Sequence, residues 1–404
     1  MHPVRTCASA IFVTLVTIVA FRVPATAQQQ STPSGVQLVA PFQKAPVPDP
    51  SSTLGYKFAD LASIDPGNPL AEEIANQTLS LFGREDLIAG SSADYASNRC
   101  EALANSGDVF SEIESRALKT SIVIINESHQ RSEHRAFTAE VAKRLRPLGY
   151  DTLAVETLSN PLPGTEDQYL PTFLKQPSLP YLVDEDGFYL SEAGFGRLGR
   201  SAKALGYRLV PYEHNDGGRS RTLPPAQQIA VREEGQADNL AAFLKSHPTA
   251  KVLVHVGYSH AGEVAQRNGA KWMAARLKQK TGIDPLTLSQ TTCRGGSDKL
   301  HLASLPASEP EGMFDLIVDH PEARFERHRP KWRKLSGDQV VSIPKALRPA
   351  SGWRVIEARP VGEPNASVPM DRVAIRPGED VALMLPPGRY SLRIIDVAAA
   401  KKTP

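Results

Sequence analysis

From Ser121 to Lys280 the chain switches repeatedly between two periodicities, and few folds accommodate that switch. Short runs rich in β-branched and apolar residues have strand character: SIVII at Ser121 to Ile125, TLAV at Thr152 to Val155, YRLVPY at Tyr207 to Tyr212 and KVLVHV at Lys251 to Val256. Between and after them, stretches near Ser132 to Leu148, Ser191 to Leu205, Ala226 to Ser246 and His260 to Lys280 read as helices. In the first, Phe137, Val141, Leu145 and Leu148 make one apolar stripe at helical spacing. Strand, helix, strand in repetition predicts parallel strands with crossover helices: an α/β layer, its largely parallel sheet flanked by helices.

The flanks read differently. The chain opens with a basic residue, Arg5, an apolar stretch from Ala8 to Phe21, and the small-residue pattern Ala25-Thr26-Ala27. This predicts a signal peptide over residues 1–27 and a secreted or periplasmic mature protein. No later run approaches about 18 uninterrupted apolar residues, so no transmembrane segment is expected in the mature chain. Residues 28–69, rich in Gln, Ser and Pro, read as a flexible leader, and residues 70–120 as a helical lead-in to an α/β domain spanning 70–300. Beyond it, GWRVIEARPV and DRVAIRPGEDVALMLPPGRYSLRIIDV alternate in short runs divided by Pro-Gly turns. They predict a small antiparallel β-sandwich-like domain over 301–404.

Forty-six Lys and Arg against 44 Asp and Glu leave a charge of +2, with no dense basic run interleaved with aromatics, so nucleic acid is not an expected partner. Of three cysteines, Cys7 leaves with the signal peptide. Cys100 and Cys293 remain, and an oxidising compartment favours a disulfide between them.

In open α/β sheets, ligands bind beyond the carboxyl ends of the strands, where loops converge and helix amino termini point inward. The residues just past each predicted strand are therefore informative. After Ile125 come Glu127 and His129, with His134 at the start of the next helix; after Val155 comes Glu156. After Tyr212 comes Glu213, favoured over its neighbour His214, and after Gly257 comes His260. Carboxylates and imidazoles relay protons near neutral pH or ligate metals, so four strands delivering them in phase predict one shared site. His255, inside its apolar run, reads as a satisfied core histidine, and Glu133 and Arg135 as solvated helix residues, with Ser132 placed to cap that helix. The chain lacks H-E-x-x-H, G-x-S-x-G, P-loop and G-x-G-x-x-G motifs, which disfavours a zincin, a standard α/β-hydrolase or a nucleotide-binding enzyme.

The segment IVIINESHQRSEHRAFTAEVAKRLRPLGYDTLAVETL, together with the later VREEGQADNLAAFL and VLVHVGYSHAGE, resembles the superfamily of erythromycin esterases, ChaN-like haem-binding lipoproteins and TraB/TIKI proteins. Those families place a Gly-Glu-x-(x)-His turn after a strand, a Glu at the end of the next, and a later Gly-x-x-His, here Gly257 to His260. The likeness covers about Ser121 to Glu263 and adds Arg232 and Asn239 as inward-facing candidates. Asn126 replaces the motif glycine, which Asn can do where a left-handed backbone is needed, and Glu127-x-His129 has the ChaN-like rather than the esterase spacing.

The resemblance implies a hydrolase of ester or amide bonds acting on a small molecule or peptide. His129 or His260 would activate water, Glu127 or Glu156 would orient it, and Arg232 would stabilise negative charge. The alternative is binding without catalysis: Glu127, His129 and His260 ligating a divalent transition metal, or a histidine contacting haem, with His134 and Glu213 as further cofactor-binding residues. A non-catalytic binding scaffold is the third reading.

Overall fold

The computed structural model describes residues 35–64, 72–88, 100–104, 107–165 and 169–398. The expected signal peptide lies outside the described residues.

Strand β2 (Ile122–Glu127) is buried at all six positions, as a strand of a parallel sheet covered on both faces is. It lies amid β3 (Tyr150–Val155), β4 (Arg208–Val210), β5 (Lys251–Gly257), β6 (Leu286–Ser289), β7 (His301–Ala303) and β8 (Leu316–Asp319) in a seven-stranded sheet of order β4-β3-β5-β2-β6-β8-β7. All pairings are parallel except β7 with β8. Alternation sorts the side chains onto two covered faces. Val123, Ile125, Leu153 and Leu253 meet α3 (Val109–Ala117), α4 (Ser132–Leu145) and α6 (Ala193–Ala204), the last preceded by a short α5 (Thr172–Lys175). Ile122, Ile124, Val252 and Val254 meet α7 (Pro225–Ser246) and α8 (Met273–Thr281). The expected α/β class, with a largely parallel sheet between helices, is the one observed.

Three expectations need correction. Residues 28–69 are not a featureless leader: Val36–Ala45 forms strand β1 and Gly55–Ser63 forms helix α1. The Gln/Pro-rich composition hides Val36, Leu38 and Phe42, which pack against the carboxyl-terminal core, while Phe58 and Leu61 of α1 sit on Trp353 and Val355. The boundary at 301 is also displaced, because β7 and β8 complete the α/β sheet. Finally, no single helix runs from His260 to Lys280. A turn at Tyr258–Ala261 leads into a loop reversed at Gly269, which has φ +82°, and α8 starts only at Met273.

After a two-residue ladder of β9 (Phe325–Glu326) with β10 (Arg329–Pro330) and a short helix α9 (Trp332–Leu335), the carboxyl-terminal part is β-sandwich-like. One sheet has the order β1-β15-β12-β13, with β12 (Trp353–Pro360), β13 (Asp371–Ile375) and β15 (Gly388–Val397) antiparallel and β1 parallel to β15. Opposite lie β11 (Gln339–Ser342) and β14 (Ala382–Leu385), and Ile356, Val373, Leu383, Leu385 and Leu392 fill the space between. Cys100 and Cys293 are joined by a disulfide with a Cα–Cα separation of 5.6 Å. Among the described residues no helix is long and apolar enough to cross a membrane.

A buried charge seam joins the sandwich to the α/β layer. Glu357, fully buried in β12, accepts from Arg359 Nη1 and Arg372 Nε at 2.8 Å each and lies 2.8 Å from Arg393 Nε. Arg372 also reaches Asp184 at 3.5 Å, and Arg197 of α6 donates to Asp338 at 2.9 Å. Removing the shared acid leaves three guanidinium groups in a dry interior with Asp184 beside only two of them, Arg359 and Arg372. Glu357→Gln is therefore expected to destabilise the protein by about 3–5 kcal/mol, read from urea denaturation.

Candidate active site

The carboxyl ends of β2, β3, β4 and β5 lie side by side, so the polar residues just beyond them meet. Glu127 ends β2 and is 1% exposed. Its Oε1 lies 2.9 Å from His129 Nδ1 and accepts from Arg135 Nη2 at 3.1 Å; its Oε2 lies 2.9 Å from both His255 Nε2 and Arg135 Nε. Burial alone would raise the pKa of this carboxyl group. Arg135, His255 and the imidazole hydrogen bonds outweigh that effect and hold it well below the ordinary value. An ionised Glu127 fixes the His129 proton on Nδ1 and leaves Nε2 bare. The His129 ring, 20% exposed at its side chain, packs between Tyr189 and Tyr258, with centroids 4.4 and 4.9 Å away.

The turn carrying His129 is pinned from three sides. Ser128 N–H donates to His134 Nδ1 at 2.9 Å, His129 N–H to the Tyr258 hydroxyl at 3.3 Å, and Arg135 Nη2 to the His129 carbonyl at 3.2 Å. Tyr258 has φ +39°, unusual for a bulky residue, and its carbonyl accepts from Asn126 Nδ2 at 2.7 Å. Asn126 is thus not the left-handed turn residue expected from the motif. It is an extended, buried part of β2 whose amide also bonds Gln290 N–H at 2.7 Å and Thr291 Oγ1 at 3.0 Å.

Beside this pair, Glu156 comes directly after β3 and is 3% exposed. Its Oε2 accepts from Tyr189 Oη and Gly257 N–H, both at 2.7 Å, and its Oε1 from Arg232 Nη2. Burial opposes ionisation, yet His260, Arg232 and His129 bring its pKa down to about 2. Arg232, on α7, also donates through Nε to Glu213 Oε1 at 3.0 Å, and Gln236 Nε2 donates to Glu213 Oε2 at 3.0 Å. His260 Nδ1 lies 2.6 Å from Glu233, and Arg232 Nη1 lies 3.0 Å from its Nε2. Burial works against protonating His260, but Glu233 and Glu156 raise its pKa overall. Arg232 can only donate, so in this geometry His260 Nε2 is bare and protonating it must displace the arginine.

The sequence-predicted residues thus fall into two contiguous sets, Glu127 with His129 and Glu156 with Glu213, Arg232 and His260. Gly257 lies between them: a Cβ there would come within 2.7 Å of His129 Cε1 and 3.0 Å of Glu156 Oε2. His134 is placed elsewhere. Buried and pushed to a low pKa by burial, His320 and Arg294, it is an acceptor for the turn rather than a cofactor ligand. Its helix is capped not by Ser132 but by Glu85 of the lead-in, which accepts from Ser132 N–H at 3.1 Å. Glu133 and Arg135 are not solvated. Glu133 lies 3.4 Å from Arg294, and burial, only partly offset by that arginine, pushes its carboxyl pKa up to about 7; Arg135 is 1% exposed against Glu127. His255 is satisfied, as expected, but by Glu127 and by Thr138 Oγ1 at 3.0 Å.

No three His, Cys, Asp or Glu side chains among the described residues form a group that could hold a metal ion. The chemistry explains why: Glu127 is occupied by two imidazoles and an arginine, Glu156 and Glu213 by Arg232, and His260 by Glu233 and Arg232. The set Glu127, His129 and His260 does not fit a divalent ion, and Glu213 has no free face for a cofactor.

No protein-family model matches the chain, and no curated protein matches it. Several solved structures do, at low likeness. The haem-binding ChaN of Campylobacter jejuni is 11% identical at TM-score 0.36, over 53% of this chain and 92% of that one. The type III effector HopBA1 is 11% identical at TM-score 0.35, over 55% and 98%. An erythromycin esterase EreC mutant is 10% identical at TM-score 0.16, over 86% and 66%. At likenesses this low, the functional reading rests on the side chains alone.

This geometry makes two outcomes measurable. Gly257→Ala must push the His129 ring or Glu156 aside and is expected to lose about 1–3 kcal/mol of stability, measurable by thermal unfolding. The depressed pKa of Glu156 contributes stability that is fully present above its ordinary value of 4.5 and is lost as pH falls toward about 2. The stability gap between wild type and Glu156→Gln should therefore shrink steadily from pH 5 to pH 2 in a urea titration series. A gap that does not change with pH contradicts the assignment.

Proposed function

We propose that this chain is a secreted or periplasmic hydrolase of ester or amide bonds, using a water molecule activated by His129. The observation that carries this reading is a buried Glu127 bonded to His129 Nδ1 at 2.9 Å, which turns His129 Nε2 away from the acid, whereas His260 Nε2 is taken by Arg232. In the reaction, Nε2 takes a proton from water as the water oxygen bonds to the substrate carbonyl carbon. The same proton then goes to the leaving alkoxide or amine as the carbonyl carbon–heteroatom bond breaks. Arg232 is 38% exposed at its side chain and keeps one Nη1 hydrogen beyond those directed at Glu156, Glu213 and His260, available to a developing oxyanion. Tyr189 and Gly257 hold Glu156, and Glu156 with Glu213 holds Arg232, so the cation is fixed before substrate arrives. The Cys100–Cys293 disulfide supports an oxidising compartment.

The test is turnover of p-nitrophenyl acetate, p-nitrophenyl butyrate and a panel of short peptides by the full chain in buffer containing EDTA. Activity is expected in the wild type. His129→Ala and Glu127→Gln should each lower kcat by about 10²–10⁴-fold, while His247→Ala, remote on the far end of α7, should leave it unchanged. Wild-type turnover by His129→Ala contradicts the proposal. A haemin Soret shift that His129→Ala abolishes, in a protein without turnover, replaces it with haem binding.

A further inference from the structure

Arg135 reads in the sequence as a solvated helix residue, yet its surroundings are those of a buried anchor and unlike those of the substrate-facing Arg232. It is 1% exposed. Nη2 donates to Glu127 Oε1 at 3.1 Å and to the His129 carbonyl at 3.2 Å, and Nε lies 2.9 Å from Glu127 Oε2. On its other side Nη1 is 3.4 Å from Glu192, whose Oε2 accepts from Gly194 N–H at 2.8 Å at the start of α6. Its guanidinium carbon is 4.4 Å from the Phe195 ring centroid. The arginine is thus held by α6 and grips both the acid and the backbone of the base.

We propose that Arg135 is the positioning residue of the Glu127–His129 pair: it keeps Glu127 a pure acceptor, so the His129 proton stays on Nδ1 and Nε2 stays bare. This rests on the reading of His129 as the base. Without the cation, a carboxyl group this deeply buried between two imidazoles would hold its proton and donate it. Its hydrogen would then face His129 Nδ1 and move the ring proton to Nε2, the nitrogen that must accept from water. The remainder of the Arg135 surface forms part of the wall of a cavity of about 740 Å³ between α4, α6 and α9, lined also by Glu192, Phe137, Leu198 and Trp332.

The test combines a kinetic split with a tautomer signature. With p-nitrophenyl butyrate, Arg135→Met is expected to lower kcat about 10²-fold, with KM within about threefold of wild type. Long-range ¹⁵N–¹H spectra of the labelled protein should show His129 changing from the Nδ1–H to the Nε2–H form. Arg135→Lys keeps the charge but reaches fewer acceptors, so it should retain the Nδ1–H form and recover about tenfold in kcat over the Met variant. Lys143→Ala, exposed on the same helix, should behave as wild type.

Unchanged kcat and tautomer in folded Arg135→Met overturn the inference. So does a rise in KM at wild-type kcat, which would assign Arg135 to ligand binding. Should the Met variant fail to fold, Arg135→Lys decides: kcat about tenfold below wild type at constant KM supports the role, and wild-type kcat overturns it. If the wild type shows no turnover, the hydrolase reading fails. The spectra of Arg135→Met, or of Arg135→Lys if Met does not fold, then judge Arg135 alone, and an unchanged His129 environment overturns its role.

Discussion

A single buried carboxylate organises the strand-end crevice. Glu127 is 1% exposed and has a nitrogen from His129, two from Arg135 and one from His255 around its two oxygens, all within 3.1 Å. A charge in such a place survives only with partners of this number and kind, because an unpaired buried carboxylate would neutralise by taking a proton. Each partner comes from a different piece of chain. β5 must pair with β2 in a register that brings His255 beside Ile125, two residues before Glu127 on the same face, and α4 must begin within five residues of the strand end to return Arg135. The local fold is the arrangement that satisfies this acid.

The dependence extends outward. Helix α4 starts with amide groups that no residue of its own loop caps, and Glu85, from the lead-in, accepts from one of them. Arg197 of α6 reaches the sandwich through Asp338, while Glu192, at the head of the same helix, holds Arg135. The segment that resembles known families is therefore supported by residues well before and after it. A strand from residues 36–45 completes one edge of the sandwich, so the described chain behaves as one packed unit rather than a site with detachable ends.

Much of this is legible in the sequence because two periodicities carry it. Continuous apolar runs and stripes at spacing three and four locate β2, β3, β5, α4, α6 and α7 to within a few residues, and the strand-end rule selects Glu127, His129, Glu156, Glu213 and His260. His255 is readable too: it shares the parity of Leu253 and Gly257, the face on which Ile125 and Glu127 lie, but its apolar setting suggests an inert core residue. Arg135 falls with Thr138 and Ala142 on the inward stripe of α4, and its charge suggests water instead. Long-range partners are not readable, since nothing local ties Glu85 to Ser132 or Tyr258 to Asn126. His134 misleads because ligand and structural imidazoles have the same letter; only the Ser128 N–H pointing at Nδ1 tells them apart.

At the centre of the site is an arrangement of protons: Glu127 carries none, and His129 carries one on Nδ1. Neutron diffraction from deuterated crystals of the wild-type protein near neutral pH tests it directly. Deuterium is expected on His129 Nδ1 pointing at Glu127, with none on either Glu127 oxygen and none on His129 Nε2. Deuterium on a Glu127 oxygen, or on Nε2 with Nδ1 bare, would contradict it.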